Sequence, residues 1–363
     1  MSRKLDITLK PVGDGCNLQC SHCFVAGEPQ KIKLMTAKTL HNVLEKASEY
    51  ASTVNVTWHG GEPLLAGIDF WKEAVKIEKA LPSRFSNSVQ SNLTLLDDEW
   101  AVFFRDYYVS VGTSCDGVEQ IHDAYRTYGD GRGSFVQVVA GIELLRSYGL
   151  EDQLGVIACY TKFMQGRLLE VYEAMKGLDL RWRINPMIKS GRGDDATNQL
   201  ATSAVDYGRE FCDMVDVYLF DPDTHVIKTI DNYVERLVTS ARKEKAGVRS
   251  ETGCQDHGVA IDNEGNCYPC GRFTADEESS MGNINEDSFD DIMSSPLKTR
   301  IKERAYGAGD GCDECEYFQA CLGGCAHDAL LYSGDILGKD HICAAHQIIY
   351  SHISELLNKI KGE

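Results

Sequence analysis

The sequence predicts an α/β fold, in which helices cover a largely parallel sheet and a small cysteine-rich region follows. Three observations lead to this prediction. Strand-like and helix-like segments alternate through the first two hundred residues, polar motifs follow successive strand candidates, and cysteines concentrate near both ends of the chain. Six β-α units in a row favour a parallel sheet, arranged as a partial barrel or as a doubly wound sheet. In both architectures the loops after the carboxyl ends of the strands carry the chemistry.

The first strand candidate is marked by Leu5, Ile7 and Leu9, which alternate with polar residues. A helix is predicted from Thr36 to Tyr50, with Thr36 as its cap. Further strand candidates are 53–58, 86–91, 108–113, 153–159 and 181–186. The intervening helix candidates are 69–80, 97–106, 135–148 and 165–175.

Composition restricts the class of protein. The 363 residues suffice for two domains or for one large barrel with an extension. With 43% hydrophobic and 25% charged residues, a sizeable core is expected. A net charge of -18 and the lack of a basic block argue against nucleic acid as a partner. Neither a signal peptide nor an apolar run of membrane-spanning length is present, so the sequence predicts a cytoplasmic protein without a membrane partner.

The fourteen cysteines are expected to serve metal binding or catalysis, because disulfides are rare in a reducing compartment. Only Cys115, Cys159 and Cys212 stand apart from the two groups, and we predict that they are small buried hydrophobic residues.

Three cysteines follow the first strand candidate as Cys16-x3-Cys20-x2-Cys23. Three thiolates can hold three irons of a [4Fe–4S] cluster and leave the fourth iron open to a small molecule. A structural zinc site usually needs four protein ligands, and no fourth cysteine lies near. His22 sits between Cys20 and Cys23, which is cramped for a shared tetrahedral metal. The motif therefore predicts a cluster that acts as a reaction centre.

Polar motifs follow the next strand candidates at the same predicted edge. Trp58-His-Gly-Gly-Glu-Pro63 follows the second, Gln90-Ser-Asn92 the third and Ser114-Cys-Asp-Gly117 the fourth, with Arg126 and Arg132 after it. Gly-Gly-Glu-Pro alone also fits a tight turn before a helix. Taken together, these motifs suit a ligand that carries both an amine and a carboxylate. Glu62 could bind the amine, and Ser114 with an arginine could bind the carboxylate.

The cysteine motif, Gly-Gly-Glu-Pro and Ser-x-Asp-Gly, in this order, resemble the radical S-adenosylmethionine (SAM) enzymes. The resemblance implies a partial (β/α)6 barrel over residues 1–205, in which the open iron binds the amine and carboxylate of SAM. It implies cluster ligation by Cys16, Cys20 and Cys23. It implies SAM contacts by His22, near adenine, by Gly60, Gly61 and Glu62 at the amine, and by Ser114 and Arg126, with Arg132 as an alternative arginine.

The second half begins with a helical bridge, predicted over 206–250. Asp262-Asn-Glu-Gly-Asn266 then forms the turn of a small hairpin between the strand candidates 259–261 and 267–269. Seven cysteines accompany this region in paired spacings, which zinc ribbons also use. They are Cys254, Cys270, Cys312, Cys315, Cys321, Cys325 and Cys343.

These spacings resemble the seven-cysteine SPASM extension of radical SAM enzymes that act on peptides and proteins, here placed within 251–363 with a helix at its end. The resemblance implies two auxiliary [4Fe–4S] clusters, and hence three clusters in the chain. Cys312, Cys315, Cys321 and Cys343 would hold the distal one, and Cys254, Cys270 and Cys325 the one nearer the active site. Cys267 either completes the nearer cluster or occupies a strand position while one iron stays open.

The function predicted from these resemblances is maturation of a ribosomally made peptide. A 5′-deoxyadenosyl radical would abstract hydrogen from the peptide, and a thioether or carbon–carbon crosslink of cyclophane type would form. The alternative is an anaerobic sulfatase-maturing enzyme that makes formylglycine. In that group an aspartate follows the cysteine equivalent to Cys270, whereas this chain has Gly271. An alternative from another functional class is a non-catalytic electron-transfer protein with several clusters. Such a protein needs no SAM pocket, so the retained Gly-Gly-Glu motif argues against it.

The partners implied are a precursor peptide and an electron donor such as flavodoxin or ferredoxin. The chain begins a few residues before the first strand, so a leader peptide would be held by the barrel or by a separate protein. The apolar spacing from Ala344 to Lys361 predicts a helix that packs on the chain's own barrel.

Overall fold

The computed structural model describes residues 3–25, 31–195, 200–223, 225–241, 257–304, 307–309, 311–312 and 314–362. Its centre is an eight-stranded sheet with the strand order β6-β5-β4-β3-β2-β1-β7-β8. The strands are β1 Lys4–Leu9, β2 Thr53–Trp58, β3 Arg84–Ser91, β4 Ser110–Ser114, β5 Leu154–Tyr160, β6 Trp182–Pro186, β7 Gly258–Ile261 and β8 Cys267–Tyr268.

The first six strands pair in parallel and in sequence order, which confirms the predicted α/β class. Each strand turns apolar residues toward the helices. In β1, Leu5, Ile7 and Leu9 are at most 1% exposed, whereas the residues between them are partly exposed. Such alternation arises because successive side chains of a strand point to opposite faces of the sheet.

Helices cover the apolar face and connect the strands. They are α1 Ala37–Tyr50, α2 Ile68–Ala80, α3 Asp98–Asp106, α4 Glu119–His122, α5 Phe135–Ser147, α6 Leu168–Gly177, α7 Arg192–Asp195, α8 Ala204–Phe220, α9 Lys228–Ala241, α10 Phe289–Met293, α11 Pro296–Glu303, α12 Phe318–Cys321, α13 Ala326–Ser333 and α14 Cys343–Lys361. The Thr36 side chain caps α1 by accepting a hydrogen bond from the Thr39 amide, as predicted.

Among the predicted boundaries that differ from the structure, two differ for an identifiable local reason. The fourth strand begins at Ser110 rather than at residue 108, because Tyr108 adopts a left-handed conformation with φ of 54° that ends the preceding turn. Helix α6 begins at Leu168 rather than at residue 165, because Gly166, with φ of 75°, still belongs to a turn.

The predicted hairpin forms, with β7 and β8 antiparallel, but it is not a separate unit. Strand β7 pairs in parallel with β1, so the hairpin extends the same sheet beyond its first strand. Consecutive residues Val259, Ala260 and Ile261 are all buried, as in a strand covered on both faces. The junction places the segment after β8 beside β1.

Helix α14 packs along α8 rather than on the strands themselves. Gly208 permits this approach, because a Cβ at that position would lie 3.0 Å from the Cα of Ala345. Ile349 and Ile353 are buried on the same side. Among the described helices, none combines the length and apolar character that a membrane crossing requires.

Candidate functional site

The face of the sheet opposite the main helical layer is polar, and we call it the polar face. Its strand residues alternate with the buried apolar set and contact one another across neighbouring strands. The Asn55 amide donates to Asp6 Oδ1 at 2.6 Å, and the hydroxyls of Thr57 and Ser88 lie 2.9 Å apart. The face also includes Thr8, Gln90, Ser114, Cys159 and Asn185. A sheet covered on both sides by core would not tolerate these groups, so this face can receive a polar ligand.

The loop after β1 brings Cys16, Cys20 and Cys23 together. Burial raises the pKa of Cys16, and the charges of Cys20 and Cys23 raise it further, so the three thiols lie within electrostatic reach of one another. Burial also raises the pKa of Cys20 to about 11. When these thiols lose their protons, the resulting thiolates are buried and repel one another, which is unfavourable unless a cation binds them. Iron binding supplies that cation, and the donor set therefore fits the predicted cluster.

The glycines of the second motif hold two loops against each other. The amide of Gly61 donates to the Gly13 carbonyl at 3.0 Å, and the amide of Glu62 donates to the Gly15 carbonyl at 2.8 Å. A Cβ at Gly61 would lie 1.8 Å from that Gly15 carbonyl oxygen, which no rearrangement of a side chain would relieve. Close backbone contact with the cysteine loop thus requires this glycine.

Glu62 is fully buried rather than open to a ligand. Its carboxylate accepts hydrogen bonds from the Ser91 hydroxyl and the Asn92 amide, both at 2.8 Å, and from the Leu64 amide at 3.1 Å. Burial raises its pKa to about 7. The carbonyls of Gly60 and Gly61 accept no hydrogen bond from the described residues, so they are the acceptors of this motif that an amine could use.

Both arginines suggested by the sequence pair with an aspartate, and Arg126 also lies near the cysteine loop, since after burial its charge has the largest influence on the pKa of Cys20 and lowers it. Arg126 donates through Nε to Asp116 Oδ2 at 2.6 Å, inside the protein, and Asp116 is completely buried. Arg132 pairs with Asp130 at 2.7 Å, and its side chain is 69% exposed. Ser114 ends β4 and is partly exposed on the polar face.

Arg192 lies near the cysteine loop and was not among the predicted residues. Its charge lowers the pKa of Cys20, and its Nε atom is buried without a partner among the described residues. It begins α7, whose Gly193 amide donates to the Cys23 carbonyl at 3.1 Å. Arg192 follows β6, and loops after the carboxyl ends of the strands converge at one edge of the sheet. This position alone could have indicated its role, because the sequence around it contains no recognisable motif.

His22 is packed against Tyr125, with ring centroids 4.4 Å apart in an edge-to-face arrangement. Its Nδ1 is buried and has no hydrogen-bond partner among the described residues. Burial lowers the pKa of His22 well below its ordinary value, so the ring is neutral. Unpartnered nitrogens on His22 and Arg192 beside three thiols are consistent with a polar cofactor at this end of the sheet.

A second group of thiols lies beside β1, after the hairpin. Burial is the largest cause that raises the pKa of Cys325, and the charge of Cys270 raises it further. The two thiols are therefore within electrostatic reach of each other. Arg272 donates through a guanidinium nitrogen to Cys325 Sγ at 3.3 Å. Cys254, the third predicted ligand of this group, lies outside the described residues.

Cys267 stands apart from that group. It is fully buried in the main core, which also contains Met281 and Ile284, whereas Cys270 packs beside Tyr268 in a separate small core. Adjacent strand residues point to opposite faces, so Cys267 and Tyr268 face away from each other. This placement favours a strand position for Cys267 over a role as the fourth ligand of the nearer cluster.

The third group of thiols surrounds a cavity. Cys312, Cys315, Cys321 and Cys343 line a single cavity together with Tyr317, Phe318 and Tyr350. Burial, followed by the charge of Cys312 and then that of Cys315, raises the pKa of Cys343. Four thiols around one cavity fit a fully ligated cluster without an open iron. Of the isolated cysteines, Cys115 and Cys212 are buried as predicted, and Cys159 is instead partly exposed on the polar face.

The chain matches two family models. Residues 11–173 match the radical SAM superfamily, and residues 254–316 match the SPASM iron–sulfur cluster-binding domain. These matches cover the first thiol group, Cys254 and Cys270 of the second, and Cys312 and Cys315 of the third. They establish SAM and [4Fe–4S] clusters as the cofactors of the chain.

Relatives that cover nearly the whole chain are sulfatase-maturating enzymes. The serine-type anaerobic sulfatase-maturating enzyme of Bacteroides thetaiotaomicron is 26% identical over 100% of this chain and 92% of its own length. The cysteine-type enzyme of Clostridium novyi is 25% identical over 89% of this chain and 88% of its own length.

Solved structures agree in fold. Native anSMEcpe with bound AdoMet superimposes with a TM-score of 0.86 at 21% identity, covering 99% of this chain and 100% of that one. Streptococcus suis SuiB bound to its precursor peptide SuiA superimposes with a TM-score of 0.66 at 16% identity. The match covers 94% of this chain and 76% of the SuiB chain. The chain thus carries a radical SAM region followed by a SPASM region, and it shares the fold of these solved structures.

Proposed function

We propose that this chain, a radical SAM protein with a C-terminal SPASM domain, oxidises one cysteine or serine side chain of a protein substrate to formylglycine. The observation that carries the proposal is the pairing of β7 with β1. Through it, the segment that carries Cys270 lies beside β1, the strand that leads into the cysteine loop. Whole-length similarity to sulfatase-maturating enzymes supports this reaction over the crosslinking reaction that the sequence first suggested.

SAM held at the Cys16–Cys20–Cys23 cluster would supply a 5′-deoxyadenosyl radical to remove hydrogen from the Cβ of the substrate side chain. Loss of a further electron and of the hydroxyl proton would give the aldehyde directly from serine, whereas cysteine would give a thioaldehyde that water hydrolyses to the aldehyde with release of hydrogen sulfide. The residues of this chain then have three tasks: to hold SAM, to hold the peptide on the polar face, and to accept the proton that the thiol or hydroxyl loses. Arg192 and the carbonyls of Gly60 and Gly61 suit the first task, since they present unpaired polar atoms beside the cysteine loop.

The proton acceptor is not at the position found in sulfatase maturases, because Gly271 follows Cys270. A Cβ at Gly271 would lie 3.4 Å from Thr8 Cγ2, so this position faces β1. Asp6 lies two residues before Thr8 and therefore on the same side of the strand. Its side chain is 38% exposed and held by Asn55. We assign the proton transfer to Asp6.

The test is anaerobic incubation of the iron-loaded protein with SAM, a reductant and three peptides that differ only in Cys, Ser or Ala at one position. We expect 5′-deoxyadenosine together with an aldehyde-containing product from the Cys or Ser peptide, captured by a hydrazide reagent and located by mass spectrometry. The Ala peptide and a Cys16→Ala, Cys20→Ala, Cys23→Ala protein are the controls.

A product that has lost two hydrogens but does not react with the hydrazide would contradict formylglycine formation and support a crosslink instead. Absence of 5′-deoxyadenosine with every peptide would contradict the enzyme assignment itself.

A further inference from the structure

Arg272 connects the Cys270–Cys325 group to its surroundings through two contacts. One guanidinium nitrogen lies 3.3 Å from Cys325 Sγ and 2.8 Å from Asp328 Oδ2. Arg272 belongs to the segment after β8, while Cys325 and Asp328 flank the start of α13. The contact therefore joins a residue beside one predicted ligand directly to the sulfur of another.

Asp328 orients the guanidinium. Its side chain is 6% exposed, against 30% for Arg272, so the carboxylate is inside the protein and the arginine reaches toward it. His327 and His341 lie 3.3 and 3.8 Å from the same carboxylate. A carboxylate held on several sides is a fixed anchor, and it fixes the direction of the N–H group that points at Cys325.

Arg272 also lies within electrostatic reach of the polar face of the sheet. The charge of Arg272 is among the influences on the pKa of Cys159, which lies on that face in β5, although burial is the largest cause and raises this pKa to about 12. Arg272 therefore lies near both the polar face and the sulfur of Cys325.

We propose that Arg272 is a positioning residue that raises the reduction potential of the auxiliary cluster held by Cys270 and Cys325. A cluster gains negative charge when it is reduced, and a cationic N–H donor at a ligand sulfur stabilises that added charge. Asp328 offsets part of the positive charge but leaves the hydrogen bond to sulfur intact.

The inference rests on the proposed function in one respect. Oxidation of the substrate radical releases one electron and one proton. The cluster held by Cys270 and Cys325 would accept that electron, and the protein would accept the proton. A higher potential makes the cluster a better acceptor for that electron, so Arg272 would favour the forward reaction.

The experiment measures the potential without SAM or substrate, by redox titration of the reduced clusters followed by electron paramagnetic resonance. The background is a chain with Cys16→Ala, Cys20→Ala and Cys23→Ala, so that only the auxiliary clusters contribute. Arg272→Met removes charge and donor, Arg272→Lys keeps the charge, and Arg300→Met is the control. Arg300 pairs with Asp335 at 2.9 Å on the surface of the same region.

We expect Arg272→Met to disfavour reduction of one cluster about tenfold, which corresponds to about 59 mV for one electron. The second cluster serves as an internal reference and keeps its potential, as does the Arg300→Met protein. Arg272→Lys restores part of the shift. If Arg272→Met lowers the iron content, the Arg272→Lys protein is used instead, and a smaller shift of the same cluster in that protein supports the proposal.

An unchanged potential in an Arg272 variant that retains its iron would overturn the proposal. So would an equal shift of both clusters, which indicates a general structural change. Because neither peptide nor SAM is present, this result is independent of whether formylglycine is the product.

Discussion

The Lys10 ammonium lies 2.9 Å from the hydroxyl of Thr274, across the junction between the cysteine loop and the segment after Cys270. Lys10 is 3% exposed and also pairs with Asp14, which is two residues before Cys16. Thr274 in turn donates to the Gly271 carbonyl at 2.9 Å. One buried lysine therefore links the loops that carry the first and second thiol groups.

We predict that Lys10→Met lowers the free energy of unfolding by about 1.5–3 kcal/mol, the range for a lost hydrogen bond to a charged group. Anaerobic thermal unfolding of the iron-loaded protein measures this change. The matched control is Lys33→Met, because Lys33 bonds Glu264 between the same two regions but at the surface, with side chains 70% and 53% exposed. Equal effects of the two substitutions would show that burial of the Lys10 link is unimportant.

Asp6→Asn keeps the hydrogen bond from Asn55 but removes the proton acceptor. We predict that product formation falls at least a hundredfold, in the range of general base catalysis, while 5′-deoxyadenosine still forms. The ratio of peptide product to 5′-deoxyadenosine, measured by liquid chromatography, checks this. Asp290→Asn, at an exposed pair with Arg3, is the control. A parallel fall of both products would mean that Asp6 acts before hydrogen abstraction.

Gly271→Asp in the Asp6→Asn background should restore part of the product. The position has room for a side chain beside Thr8, and its backbone is not left-handed. A new carboxylate there would face the same part of the polar face. If the double variant cleaves SAM normally but makes no more product than Asp6→Asn alone, the two positions do not serve one proton transfer.

Arg192→Met is predicted to weaken SAM binding about tenfold or more, since a hydrogen bond to a charged group contributes about 1.5–3 kcal/mol. Calorimetric titration of the unreduced protein measures the affinity. Arg132→Met is the control, because Arg132 is exposed and paired with Asp130. Equal affinities of the wild-type and Arg192→Met proteins would exclude Arg192 from the SAM site.

The contrast between these arginines shows what the sequence could predict. Local patterns were sufficient for the parallel sheet and the hairpin, because strand alternation and turn residues depend on neighbouring residues. Ligand spacing also indicated which of the described cysteines lie near one another. Long-range packing decided the rest. No local signal indicates that β7 pairs with β1, that Asp116 engages Arg126, or that Arg192 reaches the cysteine loop.

Glu78 provides a stability test that does not involve the cofactors. It is 7% exposed, its Oε2 accepts from Asn87 at 2.8 Å, and burial raises its pKa to about 7. A carboxyl whose pKa is higher in the folded than in the unfolded state destabilises the fold as pH rises from about 4.5 to about 7.

We therefore compare the effect of Glu78→Gln on the free energy of unfolding at two pH values. The substitution should be more stabilising above pH 7 than below pH 4.5, by about 3 kcal/mol. Urea unfolding at several pH values measures this difference. A stability difference between wild type and variant that does not change with pH would contradict the assignment of a raised pKa to Glu78.

Hydrogen abstraction from the Cβ of a cysteine or serine is the central claim, and isotope transfer tests it most directly. The protein is incubated with SAM, a reductant and a peptide that carries deuterium only at the Cβ of the target residue. We predict that deuterium appears in 5′-deoxyadenosine, as measured by mass spectrometry, together with the aldehyde product. Unlabelled 5′-deoxyadenosine formed alongside modified peptide would show that the hydrogen comes from another position, and would contradict formylglycine formation.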